Sequence, residues 1–258
     1  MSKISDAFVN GKAFIPFITC GDPDLQTTVQ IVKAAADNGA DIIELGIPFS
    51  DPTAEGPVIQ EANVRALKNE VTTDDVFKTV EQIRTEVSIP LVFMTYANVV
   101  FSYGCDAFFE RCAQVGISGI VLADVPFEEM GEFEQSALKH NVEMISLVSP
   151  TSEDRIAKIV KHARGFVYIV SSLGVTGVRD HISTDIGSIV KVVRANTNIP
   201  CAVGFGISTP EQARAMASLA DGAIVGSAIV KIIAAYGKEA PSHVGAYVRS
   251  MKDAIKDL

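Results

Sequence analysis

The feature that most constrains this chain is a rhythm. Short runs rich in Val, Ile and Phe alternate with amphipathic segments from one end of the sequence to the other. Eight runs read as strands, at residues 13–20, 41–47, 90–96, 119–125, 143–149, 165–171, 201–206 and 222–225. They are too uniformly apolar to keep one face wet, as expected of strands covered on both sides. Helical stripes lie between them: Leu25, Val29, Val32 and Ala36; Ile156, Ile159, Val160 and Ala163; Ile186, Ile189, Val190 and Val193. Thr209-Pro210-Glu211-Gln212 reads as a helix start, with Thr209 as N-cap, Pro210 at the first helical position and Gln212 completing a capping box. Gly39 and Gly116 stand where a left-handed residue ends a helix.

Repeated strand–helix order requires parallel strands joined by helical crossovers. Eight such units close into a (β/α)₈ TIM barrel of the α/β class; an open doubly wound sheet is the other arrangement. The longest interval, between the strand starts at 41 and 90, holds two helical patterns, 57–68 and 73–87, so an extra helix follows strand two. No Pro/Gly/Ser linker or shift in composition divides the chain, and a single TIM-barrel domain over residues 1–258 is expected. Surface scaling lets a chain of this size bury roughly 73% of its unfolded surface, enough for one large core.

Composition removes several function classes. Acidic side chains outnumber basic ones, 31 to 22, giving a net charge of −9 with no basic run, which argues against nucleic acid or an anionic membrane as partner. The longest nearly apolar stretches, 90–101 and 222–230, fall short of a membrane span, and Met1-Ser2-Lys3-Ile4-Ser5-Asp6 has no apolar signal core. A cytoplasmic location is expected. Cys20, Cys105, Cys112 and Cys201 show no metal-binding spacing and read as reduced core fillers. His140, His162, His181 and His243 are scattered, so no metal is expected.

In a parallel barrel, chemistry gathers where strands run into the following loops. The second strand, Asp41-Ile42-Ile43-Glu44-Leu45-Gly46-Ile47, places Ile42, Glu44 and Gly46 on one face. Glu44 is buried whichever way it points, and desolvation raises a carboxyl pKa toward the range of a general acid or base. A carboxylate held by a structural partner is the other reading. The loop after it carries Asp51 and Glu55 among three prolines, stiff enough to hold a second carboxylate over the same cavity. A solvated acidic loop would look the same.

Glycine-bearing segments follow strands six, seven and eight: Gly174-Val175-Thr176-Gly177, Gly204-Phe205-Gly206 and Gly226-Ser227. Bare amides, close approach and a helix N-terminus together bind a phosphate dianion without lysine or arginine. Neither a dinucleotide fingerprint nor a GxxxxGK[ST] loop is present. Asp124 sits near the end of the fourth strand and, if buried there, needs a polar partner. Tyr168, Phe17, Ile59, Tyr96 and Leu122 are core residues that could also line an apolar pocket.

These segments resemble the tryptophan synthase alpha chain family. The resemblance rests on Glu44-Leu45-Gly46-Ile47-Pro48-Phe49-Ser50-Asp51-Pro52 with Gly56-Pro57 and Ile59-Gln60, on Phe14 to Thr19 with Gly21-Asp22-Pro23, and on Tyr96-Ala97-Asn98. Leu122-Ala123-Asp124-Val125-Pro126, Gly174-Val175-Thr176-Gly177, Gly204-Phe205-Gly206-Ile207 and Gly226-Ser227-Ala228-Ile229-Val230 extend it, in order, over essentially the whole chain. It implies a lyase that reversibly cleaves indole-3-glycerol phosphate to indole and glyceraldehyde 3-phosphate by a retro-aldol reaction. Glu44 would be the principal acid–base residue and Glu55 the carboxylate that meets the indole N–H, at a position where aspartate is commoner in the family.

By the same resemblance, Phe17, Tyr96 and Leu122 would flank the indole, Tyr168 would lie near Glu44 and Asp124 would be an adjacent polar wall residue, with Ile59 also expected at the substrate. Thr176 would help close a loop over the substrate. Gly177, Gly206, Gly226 and Ser227 would hold the phosphate. A beta chain carrying pyridoxal phosphate would be the partner, in a tetramer of two alpha and two beta chains, facing Pro48 and Asp51; no cofactor is expected on this chain. Two alternatives remain to be weighed. Another phosphate-binding barrel, such as an indoleglycerol-phosphate synthase or a sugar-phosphate isomerase, would need a strand lysine, and none lies within the eight candidate strands. A non-catalytic barrel subunit that activates a partner enzyme is the other.

Overall fold

The computed structural model describes residues 4–170, 185–204 and 206–258. Its strands are β1 (Ala13–Thr19), β2 (Ile43–Gly46), β3 (Leu91–Thr95), β4 (Gly119–Leu122), β5 (Glu143–Met144), β6 (Ser146–Val148), β7 (Val167–Val170), β8 (Cys201–Gly204) and β9 (Gly222–Val225). All pairings are parallel, in the order β5-β4-β3-β2-β1-β9-β8-β7-β6. The two end segments are halves of one stave. Ile145 joins them, and its N–H donates to the Ile120 carbonyl at 2.9 Å. The ring of eight staves is therefore closed through the chain itself, as the alternation of apolar runs predicts.

Each stave buries both faces. Ile15, Phe17, Ile42, Val92, Met94, Val121, Tyr168 and Ile224 fill the barrel interior. Their neighbours Phe14, Ile18, Ile43, Leu45 and Phe93 pack outward under the helices. The segment Ile4–Phe8, a 3₁₀ turn, plugs the end opposite the cleft described below, with Ile4 fully buried and Phe8 against Phe166.

The helices are α1 (Leu25–Asp37), α2 (Pro57–Lys68), α3 (Thr73–Arg84), α4 (Ala97–Tyr103), α5 (Cys105–Val115), α6 (Gly131–Lys139), α7 (Glu153–Val160), α8 (Ile186–Asn196), α9 (Pro210–Leu219), α10 (Ser227–Tyr236) and α11 (Ala240–Ile255). The extra helix after strand two is present as α2 followed by α3. One further helix, α4, escaped the sequence reading because a single glycine, Gly104, rather than a loop sets it off from α5. The helix entered at Gly226-Ser227 is α10, followed by the 3₁₀ turn Gly237–Glu239 and α11. The Thr209 capping box and Pro210 start α9 as read, and Gly116 ends α5 in the left-handed conformation.

The α1 stripe is shifted. Thr28, Ile31, Val32 and Ala35 are buried, while Leu25, Val29 and Ala36 sit at the edge of the interface. Strand ends are shorter than the apolar runs; β4 stops at Leu122, which matters for Asp124 below.

Candidate active site

Where the strands run into their following loops, the barrel holds a cleft of about 410 Å³, its mouth included. It is lined by Phe17, Glu44, Ile59, Tyr168, Gly206, Gly226 and Ser227, and by Met94, Ile207 and Ile224. Seven of the residues singled out from sequence thus meet around one space. Met94 and Ile224 were missed, although the same inward alternation that selects Glu44 selects them.

Glu44 stands in β2, in register with Phe17 of β1 and Val92 of β3. It is 2% exposed. Among the described residues neither of its carboxylate oxygens has a hydrogen-bond partner. Burial, and secondarily the charge of Glu55, push its pKa up to about 8. Glu44 is thus mostly protonated at neutral pH. Tyr168 is buried beside it, its phenol held well above the ordinary value by burial and then by the Glu44 charge, so it stays a hydroxyl.

Two glycines make room for the aromatic walls. A Cβ on Gly204 would lie 2.7 Å from the Tyr168 hydroxyl oxygen, and one on Gly46 would lie 2.7 Å from Cζ of Phe17. Bulkier residues at either position would force a ring out of place.

Glu55 approaches from the loop ahead of α2 and is also buried. Its Oε2 accepts from Asn63 Nδ2 at 2.6 Å, and the Tyr96 hydroxyl bonds the same carboxylate. Gln60 Nε2 donates to the Glu55 carbonyl at 2.7 Å, tying the loop to the first turn of α2. Burial raises the Glu55 pKa while the two side-chain donors pull it back. Tyr96 is positioned in turn by Ala54 N–H, which donates to its hydroxyl at 3.3 Å, and by the Phe49 ring stacked at 5.1 Å.

The far end of the cleft is built from backbone. Gly226 caps α10, and its carbonyl accepts from Ile229 N–H at 2.9 Å and Val230 N–H at 3.1 Å. The earliest amides of the helix keep no helical acceptor, which makes an anion site of partial positive charge. Gly206, with φ 79°, presents its backbone beside it. Among the described residues that line the cleft there is no lysine or arginine.

Several expectations need correction. Asp124 lies past the end of β4 and is exposed rather than buried in the strand. Its Oδ1 accepts from Ala97 N–H at 2.9 Å, at the first residue of α4. Leu122 points outward into the layer between strands and helices, and together with Asp124 it borders a neighbouring hollow instead of the cleft. Tyr96 and Glu55 touch each other but do not line the cleft. Pro48 is buried, so of the two loop residues expected to face a partner only Asp51 reaches the surface. Thr176 and Gly177 lie outside the described residues. Asn63 went unnoticed, although a lone polar residue in the buried face Ile59, Ala62, Asn63, Ala66 of α2 was a readable signal.

Comparison with known proteins agrees with this geometry. The family model described as "Tryptophan synthase alpha chain" matches residues 5–256. The tryptophan synthase alpha chain of Lacticaseibacillus casei is 49% identical over 255 residues, covering 99% of this chain and 96% of the relative. A crystal structure of tryptophan synthase subunit alpha from Legionella pneumophila superposes with a TM-score of 0.89 at 37% identity, with both chains fully covered. A chain of Mycobacterium tuberculosis tryptophan synthase gives a TM-score of 0.90 at 33% identity, covering 99% of this chain and 98% of that one. The sequence match, the barrel and the shared architecture agree: this chain belongs to the tryptophan synthase alpha chain family.

Proposed function

We propose that Glu44 and Glu55 divide the chemistry of this chain between them. Members of the family cleave indole-3-glycerol phosphate reversibly to indole and glyceraldehyde 3-phosphate, and this chain is such a carbon–carbon lyase. Protonated Glu44 delivers its proton to C3 of the indole, and the ring nitrogen takes up positive charge as an indolenine. The Glu44 carboxylate then accepts the proton of the hydroxyl on the adjacent glycerol carbon. That carbon becomes the aldehyde, the bond to C3 breaks, and its electron pair returns to the ring to restore indole. One proton has moved from oxygen to carbon through Glu44. Glu55, whose charge bears on Glu44, would accept the ring N–H and stabilise the charge that appears there.

The observation that carries this reading is a buried carboxyl without a hydrogen-bond partner among the described residues, its pKa pushed up to about 8, in one cleft with a helix N-terminus. Phe17 and Ile59 would bracket the indole, with Tyr168 beside Glu44 and Tyr96 acting through Glu55. Gly206, Gly226 and Ser227 would take the phosphate on backbone amides and a hydroxyl. The resemblance assigns Gly177 to the phosphate as well and Thr176 to loop closure. Asp124 is better read as an anchor for α4 than as a substrate contact.

The partner we propose is a beta chain carrying pyridoxal phosphate, two alpha and two beta chains to the assembly, with indole passed internally and the exposed Asp51 loop on the contact. No helix among the described residues is long and apolar enough to cross a membrane, which fits the proposed cytoplasmic location. The test is release of glyceraldehyde 3-phosphate from indole-3-glycerol phosphate, with and without a beta chain. Glu44→Gln is expected to lower the rate by about 10²–10⁴-fold in both conditions. Undiminished turnover in that variant would remove Glu44 from the mechanism. No turnover by the unaltered chain in either condition would favour the non-catalytic subunit.

A further inference from the structure

A polar residue in the middle of an apolar helix face is costly unless it has a partner and a purpose. In α2 the buried face comprises Ile59, Ala62, Asn63 and Ala66. Ile59 lines the cleft and Asn63 lies one turn further along the same face. Asn63 is 4% exposed and its amide donates to Glu55 Oε2 at 2.6 Å. Tyr96, from the end of β3, bonds the same carboxylate from another element. A carboxylate offers about four acceptor positions, so two donors fix its plane and still leave capacity for a third.

We propose that Asn63 is a positioning residue for the lyase reaction, its amide clamping the Glu55 carboxylate in one orientation beside Glu44 so that a free lone pair meets the ring N–H of the substrate. This rests on the role given to Glu55 above. It also accounts for how a glutamate works at this position: the extra methylene gives the side chain more rotamers, and the clamp from α2 removes them. The groups facing this carboxylate are Asn63 of α2, Tyr96 after β3 and Glu44 of β2, while Gln60 of α2 holds the Glu55 main-chain carbonyl. Among the described residues Asn63 alone donates to the Glu55 carboxylate from a helix that also forms the cleft wall.

The experiment is a double-mutant cycle in the holoenzyme with its beta chain, reading kcat and KM for indole-3-glycerol phosphate cleavage and the melting temperature of each variant. Asn63→Ala is expected to lower kcat about 10- to 100-fold, the range of one hydrogen bond to a charged group, with KM little changed. If Asn63 acts through Glu55, Asn63→Ala costs nothing further once Glu55→Gln is present. The exchanged pair Glu55→Gln with Asn63→Asp restores the hydrogen bond and the melting temperature but not kcat. Additive losses in the cycle, or a kcat that returns with the melting temperature in the exchanged pair, would reduce Asn63 to a structural role. If Glu55→Gln alone is fully active, the role of Glu55 fails. If Glu55→Gln is impaired while Asn63→Ala matches the unaltered protein, only the clamp fails.

Discussion

The two ends of the cleft solve opposite electrostatic problems with the same economy. At the β1–β2 wall, Glu44 is buried and has no hydrogen-bond partner among the described residues, and its pKa is pushed up to about 8 so that it is mostly protonated at neutral pH. At the β9–α10 end, Gly226 and Ser227 bring a helix N-terminus to the cleft, and the anion site proposed there takes no formal charge from either residue. The difference teaches that burial is a tool at one end and backbone polarity at the other. A lysine in the cleft would lower the Glu44 pKa and leave less of the carboxyl protonated at neutral pH.

After the loss expected of Glu44→Gln, the largest effect comes from giving the anion end the wrong charge. Ser227→Asp sets a carboxylate against the phosphate, and repulsion of several kcal/mol should raise KM about 100-fold or more. Steady-state kinetics with indole-3-glycerol phosphate check it, and an unchanged KM would place the phosphate elsewhere. Next, two glycine substitutions should separate binding from folding. A Cβ on Gly204 collides with the Tyr168 ring, so Gly204→Ala should destabilise the fold by about 1–3 kcal/mol in a denaturant titration. A Cβ on Gly226 meets Phe17 and Ile59 only at ordinary contact distances, 3.6 and 3.7 Å. Gly226→Ala should therefore leave stability nearly intact and act on KM, by crowding the cleft. Equal stability losses at both positions would break the contrast.

A third prediction concerns pH. As the proposed proton donor, Glu44 must be protonated, so the rate should fall as pH rises through about 8. Part of that elevation is repulsion from the Glu55 charge. Removing the charge in Glu55→Gln lowers the Glu44 pKa, and the alkaline limb of the residual activity should move to lower pH. A limb that stays in place would show that burial alone sets the acid. The smallest effect is expected at the surface: Asp51→Asn should leave the isolated chain unchanged and weaken only its association with a beta chain, measured by titration calorimetry.

How much of this was legible in the sequence follows from what each element had to satisfy. Strands buried on both faces announce themselves by uniform apolarity, so all eight staves were readable, and Glu44 stood out as the charge that such a strand should not contain. The pause at Ile145, which splits one stave into β5 and β6, leaves no compositional trace. Strand ends were overrun because Ala123 and Val125 continue the apolar run after the ladder has stopped, and this misplaced Asp124. The burial of Pro48 was hidden for the complementary reason that a proline-rich loop reads as surface whichever way it folds. The Glu55–Asn63 pair joins residues on a loop and a helix whose mutual angle no local pattern encodes.

The claim on which the account turns is that Glu44 carries a proton at neutral pH inside the folded barrel. Infrared difference spectroscopy between the unaltered protein and Glu44→Gln, titrated from pH 5 to pH 10, tests it most directly. The account predicts a protonated carboxyl band lost in the variant and titrating in the unaltered protein near pH 8. A carboxylate band at pH 7, with a midpoint in the ordinary range of a solvated glutamate, would contradict it and leave the cleavage without its acid.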